Sequence, residues 1–185
     1  AGGDLSFTAT GQTRFIDVAG ALGLSTGSAG SGFALALNVQ NKIVRAFIGR
    51  GVAADLGGSV WLIATAGEHF TAFAISGGAA DDVGIGGSFV VLVLNQGASA
   101  PGTRAVIDSS ADAPTSVRAR GAMTLSATDP VTVMAIAGGV GAAGTAGIGL
   151  SSVVFVRTGI VDAGVAERAD LWARGGVGFS ATATQ

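Results

Sequence analysis

Apolar and polar residues alternate along the first segment of the chain, and a period of two is the pattern of a β-strand. Leu5, Phe7 and Ala9 would lie on one face of a strand over residues 4–10, with hydroxyl side chains on the other face. The alternation recurs over residues 33–40, where Leu, Leu and Val alternate with Ala, Ala and Asn. No segment sustains a 3.6-residue period, and abundant glycine and β-branched residues disfavour helices. The pattern therefore predicts an all-β chain.

A short phrase of the form Gly-x-x-x-apolar-x-Ala-Thr occurs four times. Its copies occupy residues 3–10, 58–65, 121–128 and 175–182. Successive copies lie 55, 63 and 54 residues apart, and a period of this length indicates a repeat architecture in which each unit packs against the next. The phrase divides a single continuous body into repeats at residues 1–56, 57–119 and 120–173, with a partial fourth repeat at 174–185.

Each repeat is predicted to contain about four strands. In the first repeat they cover residues 4–10, 14–24, 33–40 and 43–52, separated by polar or glycine-rich breaks. Because whole phrases recur together with their turns, the repeats favour a parallel β-solenoid whose like strands stack in register. Half a repeat, about 27 residues, would form one coil, which gives two coils per repeat. We expect a right-handed parallel β-helix, and the alternative is an antiparallel β-meander that closes into a sandwich.

Two kinds of segment depart from simple alternation. Residues 60–63, 89–94 and 153–156 are apolar on both faces, which predicts burial on both sides, with the outer side covered by another copy or by more of a longer chain. Glycine and alanine instead dominate residues 19–23 and 137–149, as they do around Ser76 to Ala80. We expect these segments to let two backbone layers approach closely.

The second repeat is longer than the others, and its extra residues fall near 97–102 and 109–116. Both stretches are small, polar and proline-bearing, so we expect enlarged surface turns there. The best helix candidate, residues 161–173, overlaps a recurring Arg-Ala pair and is interpreted as strand and turn.

Composition narrows the function classes. The 185 residues carry a net charge of −2, contain one lysine, Lys42, and have no basic run, which disfavours nucleic acid as a partner. Cysteine is absent, so disulfides and thiolate metal sites are excluded. Apolar runs stop short of 18 residues, and we expect no membrane insertion.

Few residues suggest chemistry, and we predict no catalytic, cofactor-binding or metal-binding residue and no enzyme activity. The only histidine, His69, is expected at a break between strands, with Glu68 pointing the opposite way. Asp81 and Asp82 form the only adjacent acidic pair and would lie in a turn. Such a pair could bind calcium, but the calcium-binding β-roll pattern is absent and a solvated turn is favoured.

Two further sets of side chains bear on function. Arg45, Arg104 and Arg168 each precede alanine and could stack as a ladder, provided that carboxylates separate their charges. A carbohydrate site would need aromatic platforms and clustered acids, yet Trp61 and Trp172 are the only tryptophans and tyrosine is absent. The scattered acids that could contribute do not recur at stacked positions. They are Asp108, Asp112, Asp162, Glu167 and Asp170.

The phrases over residues 1–10, 44–51 and 143–149 resemble repeats of giant secreted bacterial adhesins, of the filamentous-haemagglutinin-like and leukotoxin-like kinds. The resemblance implies a secreted, extended β scaffold at the bacterial cell surface that acts in adhesion or filament formation. It carries no catalytic motif. We therefore expect a structural or adhesive module that self-associates through neighbouring repeats or identical subunits and contacts a host or matrix surface. The alternative is a carbohydrate-binding or carbohydrate-active β-solenoid.

Overall fold

The computed structural model describes residues 2–95 and 102–184, and its regular structure over these residues is entirely β. The strands are β1 (Leu5–Leu24), β2 (Ala29–Asn41), β3 (Val44–Ile48), β4 (Ala53–Leu56), β5 (Val60–Ala80), β6 (Val83–Asn95), β7 (Thr103–Ile107), β8 (Ser116–Ala119), β9 (Met123–Ala143), β10 (Ala146–Thr158), β11 (Val161–Val165), β12 (Asp170–Ala173) and β13 (Val177–Thr184). The predicted all-β class is confirmed.

The strands form four sheets, and every pairing is parallel. Sheet I has the order β1-β5-β9-β13 and sheet II the order β2-β6-β10. Sheet III contains β3-β7-β11 and sheet IV contains β4-β8-β12. The chain passes through sheets I, II, III and IV in turn and then returns to sheet I beside its previous strand. The antiparallel meander is therefore wrong, because every hydrogen-bonded strand pair among the described residues is parallel.

We call one passage through the four sheets a coil, and its length equals the spacing of the sequence phrase. Leu5 pairs with Val60, Val60 with Met123, and Met123 with Val177. The prediction of two coils per repeat is therefore wrong, and one repeat makes one coil. The physical reason is that residues 4–10 and 14–24 do not form two strands but join in the single long strand β1, so half a repeat cannot close a coil.

The first part of each sheet I strand packs against sheets III and IV around a hydrophobic core, and we call this part of the molecule the body. Val60 and Leu62 of β5 and Leu125 of β9 are fully buried there. Ile107 of sheet III and Val117 of sheet IV belong to the same core. Leu5 and Ala9, predicted to share a face with Phe7, both pack against this core, whereas Phe7 in the same edge strand is 43 % exposed.

The second part of each sheet I strand, at residues 13–24, 68–80 and 131–143, leaves the body and faces sheet II. We call these segments, sheet II and the turns that join them the fin. Towards the tip its interior holds small residues: a Cβ placed on Gly84 would collide with the carbonyl oxygen of Ala142, and one on Gly86 with that of Val140. Nearer the body, large side chains such as Phe70 are buried between the two sheets. The predicted close approach of two backbone layers is confirmed.

The long loop of the second coil also agrees with the sequence. Residues 108–115 connect β7 to β8 where the other coils use 49–52 and 166–169. Thr115 ties this loop down, because its hydroxyl donates to the carbonyl oxygens of Asp108 at 2.7 Å and Gly49 at 3.1 Å. The other predicted enlarged turn, near 97–102, lies almost wholly outside the described residues. Residues 161–173 form β11, a turn and β12, as the strand-and-turn interpretation required.

Candidate functional site

The outer face of sheet II is the first unusual surface of the fin. In β2 the large side chains Phe33, Leu35 and Leu37 are 57–60 % exposed, whereas Ala34 and Ala36 between them are 2–4 % exposed. Short of the last residue of each strand, the outward positions of this sheet carry hydrocarbon side chains, and the exceptions are Ser31, Ser152 and Gly87. In β2 the alternation is therefore inverted, with small residues inside and large residues outside, whereas β6 carries large residues on both faces.

Residues 89–94 and 153–156 are covered on one side only within this chain, and the covering of their outer side by another copy or by more of a longer chain stays a prediction. Val90 and Leu92 are buried against sheet I, but Phe89 of the same strand is exposed. In β10 the side chains of Val154 and Val156 are exposed as well. The exposed fractions of these side chains show that none of the described residues covers the outer side of this sheet.

The outer face of sheet I changes character along each strand. On the body it carries a continuous row of threonines, Thr10, Thr65, Thr128 and Thr182. A row of Arg14, His69 and Thr132 follows. Beyond that row, from Ile16 to the end of each strand, the outward positions carry hydrocarbon side chains or glycine with the single exception of Thr71. The fin is therefore apolar on both outer faces.

The apolar regions of the two faces end at the same level. Gly23 of sheet I lies directly against Ser31 of sheet II. Nine residues separate Gly23 from Arg14, and ten separate Ser31 from Asn41, which ends β2. The tip beyond Gly23 is polar, because it consists of the turn at residues 25–28 and its counterparts in the other coils. An apolar band thus has polar limits at the tip and at the base.

A buried ionic cluster lies at the base, between the body core and the fin. The Lys42 ammonium group is 3.6 Å from a Glu68 carboxylate oxygen and donates to the carbonyl oxygens of Gly11 at 2.6 Å and Gly67 at 3.2 Å. The Arg157 guanidinium group is 2.9 Å from the Asp129 carboxylate and also donates to the Asp129 carbonyl oxygen at 3.2 Å. The cluster therefore places two cations beside two acids.

The two acids interact with each other. The pKa of Glu68 is raised, first by burial and then by the negative charge of Asp129, while Lys42 and Arg157 oppose the rise. A hydrogen bond between the Glu68 and Asp129 side chains raises it further. Because the Glu68 side chain is 3 % exposed and that of Asp129 is 0 %, a polymeric substrate could not reach either carboxyl group.

The buried cluster was not predicted from the sequence, although a signal for it was present. Glu68 continues the inward phase of Ala64 and Ala66, and Asp129 continues that of Leu125 and Ala127. A charged residue in the inward phase of a strand requires a buried partner. The chain's only lysine is one such partner.

The structure also places the predicted site residues. His69 does not lie at a break, because it is inside β5 on the outer face, between Arg14 and Thr132. Its expected orientation opposite to buried Glu68 is confirmed. Asp81 and Asp82 occupy the exposed turn between β5 and β6, as expected, and calcium binding there stays a prediction.

The arginine ladder is confirmed in part. Arg45 and Arg104 stack in register in sheet III. Carboxylates separate their charges as required, since Arg45 is 3.3 Å from Asp108 and Arg104 is 2.9 Å from Asp162. Arg168 is not the third member, because it lies in the turn after β11 with a positive φ of 66°. The third position in the row is Asp162, whose negative charge is opposite to that of the neighbouring Arg104.

A shallow groove of about 670 Å³ runs over the outer face of sheet IV. Trp172 lies in it with 51 % of its surface exposed. Asp55 and Arg118 are at the same level in the neighbouring coils, and Arg118 is 3.6 Å from Asp170. Arg120 and Arg174 complete the polar lining. Trp61 lies elsewhere, half-buried on the outer face of sheet I.

Comparison with protein-family models, with curated proteins and with solved structures gave no match. Within residues 2–95 and 102–184, no three acidic or histidine side chains gather as metal ligands would. None of the described segments is a helix that could span a membrane. Functional inference therefore rests on the arrangement of the residues themselves.

Proposed function

We propose that the chain is a segment of a right-handed parallel β-solenoid that serves as a non-enzymatic structural and adhesive module. In this role it extends a fibre at the bacterial cell surface. Right-handedness is the rule for parallel strands joined by a crossover within one sheet. The extracellular setting, and contact with a host or matrix surface, follow from the resemblance to giant secreted adhesins.

The observation that carries the proposal is the repeated coil-to-coil contact. The amide of Leu5 donates to the carbonyl oxygen of Ser59 at 2.9 Å, and that of Val60 donates to Ala122 at 2.9 Å. The third coil repeats the bond from Met123 to Gly176 at 3.0 Å. Because each coil presents the same backbone ladder to the next, an identical or similar coil can extend the stack.

Open edges favour such extension. β1 and β13 are the edge strands of sheet I, and their outer backbone groups lack a strand partner in the chain. Natural proteins normally cover or pair such edges. Pairing between coils of successive subunits, or with further coils of the same polypeptide, satisfies these groups and produces an open, head-to-tail fibre.

Electron microscopy with fibre diffraction of the purified chain tests the proposal. We expect filaments with an axial spacing of about 4.8 Å, the separation of paired strands. Ala181→Pro removes a backbone donor from β13 and should shorten the filaments, whereas Ala181→Val keeps that donor and serves as the control. Only monodisperse globular particles at every concentration would contradict the proposal.

The sheet IV groove supports a second candidate function, carbohydrate binding. An exposed tryptophan beside arginine and aspartate side chains can stack on a sugar ring and hydrogen-bond its hydroxyl groups. Calorimetric titration with neutral and acidic polysaccharides should show binding that Trp172→Ala abolishes. Trp61→Ala is the control, because Trp61 lies outside the groove. Equal loss in both variants, or no binding by the native chain, would remove this candidate.

A further inference from the structure

The two outer faces of the fin have no partner among residues 2–95 and 102–184, and their composition is that of an interior. We propose that fins of separate copies of this chain pack face to face and so join stacked coils side by side. This lateral contact is distinct from the axial stacking proposed above, since it uses side chains on the sheet faces rather than backbone groups at the sheet edges. The partner in this lateral contact is the fin of a second copy of the chain.

The size of the faces is sufficient for such a contact. Three strands about 4.8 Å apart and ten residues long form a face of about 480 Å². Pairing two such faces buries on the order of 1,000 Å², the lower limit for a specific interface. Every additional coil enlarges the contact, so three coils are near the minimum and a longer stack exceeds it.

The faces are also shaped for sheet-on-sheet packing. The Phe33 ring of one coil lies over Gly87 of the next, where an added Cβ would be 2.6 Å from the ring. On the opposite face a Leu22 methyl group covers Gly77 in the same way, 2.9 Å from an added Cβ. A large side chain over a neighbouring glycine levels the surface, and level apolar sheets pack about 10 Å apart.

The absence of charge within the apolar bands lets any two fin faces meet without repulsion. The nearest charge on the sheet I face is Arg14, at the base, and Asp81 and Asp82 lie at the tip. Because the faces point in opposite directions, one partner covers only one of them. Each fin therefore has two neighbours, and the assembly grows laterally without closing.

A lipid bilayer is the competing occupant, because the apolar band is about 30 Å high and matches the hydrocarbon thickness. The open edges of the fin argue against it. β1 is an edge of sheet I, and β2 and β10 are the edges of sheet II. Edge strands carry unpaired amide and carbonyl groups, and open sheet edges do not occur in contact with hydrocarbon. Packing against a protein surface leaves those edges accessible to water.

Charge substitutions on each face, with controls on the same strands, test the proposal. Leu35 and Ile75 are 60 % and 59 % exposed on opposite faces of the fin. Leu35→Glu or Ile75→Glu should reduce lateral assemblies to pairs, measured by sedimentation and filament width, and the double variant should abolish them. Asn41→Glu at the end of β2 and Thr65→Glu on the body part of β5 should leave lateral assembly unchanged.

Further measurements separate the outcomes. The axial 4.8 Å reflection should persist in the double variant, because axial stacking does not depend on the lateral contact. Loss of lateral assembly can therefore be told apart from loss of axial stacking. Far-UV circular dichroism should be unchanged, and Leu35→Thr, a milder change at the same site, should weaken assembly less than Leu35→Glu. Filament widths that ignore the fin substitutions would overturn the proposal. Flotation of single native chains with phosphatidylcholine vesicles, without lateral assembly, would overturn it in favour of lipid.

Discussion

Strand β5 belongs to both halves of the molecule, and the two halves treat the same alternation in opposite ways. In the body, Val60 and Leu62 point inward and are fully buried, while Thr65 points out. In the fin, Ala74 points inward and Ile75 outward. The period of two therefore fixes which residues share a face, but the distance between opposing layers decides which face takes the large side chains.

The distance between opposing layers differs because three sheets surround the interior of the body, whereas only two sheets enclose that of the fin. Sheets I, III and IV enclose a space that aliphatic side chains fill, and each fully buried side chain contributes about 1.5–3 kcal/mol. Towards the tip of the fin the sheets approach until backbone meets backbone, which leaves room only for glycine and alanine. Near its base the fin has a hydrophobic core of its own, in which Phe70, Leu92 and Val131 are buried between the two sheets. The tip of the fin therefore gains little from its interior and depends on its backbone ladders and on whatever covers its outer faces.

The boundary between body and fin should give the largest effect. Arg157→Met removes the guanidinium group that lies 2.9 Å from the Asp129 carboxylate, which is 0 % exposed. We expect a loss of about 3–5 kcal/mol in the free energy of unfolding, measured by urea denaturation. Arg104→Met breaks the part-exposed pair with Asp162 and should cost less than about 1 kcal/mol. Equal losses in the two variants would show that the boundary cluster is not buried.

Removing leucines from the two halves tests the inversion directly. Leu62→Ala empties a fully buried site of the body and should cost about 2–5 kcal/mol in unfolding free energy. Leu35→Ala removes an exposed side chain of the fin and should change it by at most about 0.5 kcal/mol for chains that are not assembled. Both free energies of unfolding should be measured at a protein concentration below that of assembly. A larger loss in Leu35→Ala than in Leu62→Ala would contradict the outward orientation of Leu35.

Adding a methyl group tests the fin interior. Gly86→Ala would place a Cβ against the carbonyl oxygen of Val140, and we expect destabilisation of about 1–3 kcal/mol. Gly138→Ala points outward with no atom within 4 Å, so it should be neutral or slightly stabilising. Thermal unfolding of the two variants gives the comparison. Similar melting temperatures would mean that the layers are further apart than described.

The smallest expected effect concerns pH. The pKa of Glu68 is raised in the folded chain, so the folded state holds this proton more tightly than the unfolded state does. Its stabilising contribution is complete below the ordinary glutamate value of 4.5 and is lost as the pH rises through the raised value. Glu68→Gln keeps a neutral donor at every pH, so its unfolding free energy should lack this decline.

Urea denaturation from about pH 4 to pH 8 measures the difference between the native chain and Glu68→Gln. Glu167→Gln is the control, because Glu167 lies exposed in the turn before β12. It should leave the pH dependence of the native chain intact. A decline that survives in Glu68→Gln would assign the pH dependence to another group.

Local patterns in the sequence were sufficient for part of this account. Alternation predicted strands, the Ala-Thr phrases lie in one register, and glycine content predicted the close layers. Coil length was not predictable in the same way, because β1 passes through the polar stretch around Gln12 without a break. The orientation of Leu35 depends on the spacing between two sheets, which no pattern within one strand encodes. The prediction that His69 lies at a break was wrong for the same reason as the coil length, because β5 also continues through this stretch without a break.

The central claim is that one repeat makes one coil, and engineered cysteine pairs test it in a chain that has no cysteine of its own. Thr10 pairs with Thr65 in adjacent strands, close enough for a disulfide. Mass spectrometry of the oxidised Thr10→Cys, Thr65→Cys variant should therefore detect an intramolecular disulfide. Thr10→Cys combined with Leu37→Cys, half a repeat away, should form none. A disulfide in the second variant and none in the first would contradict the account.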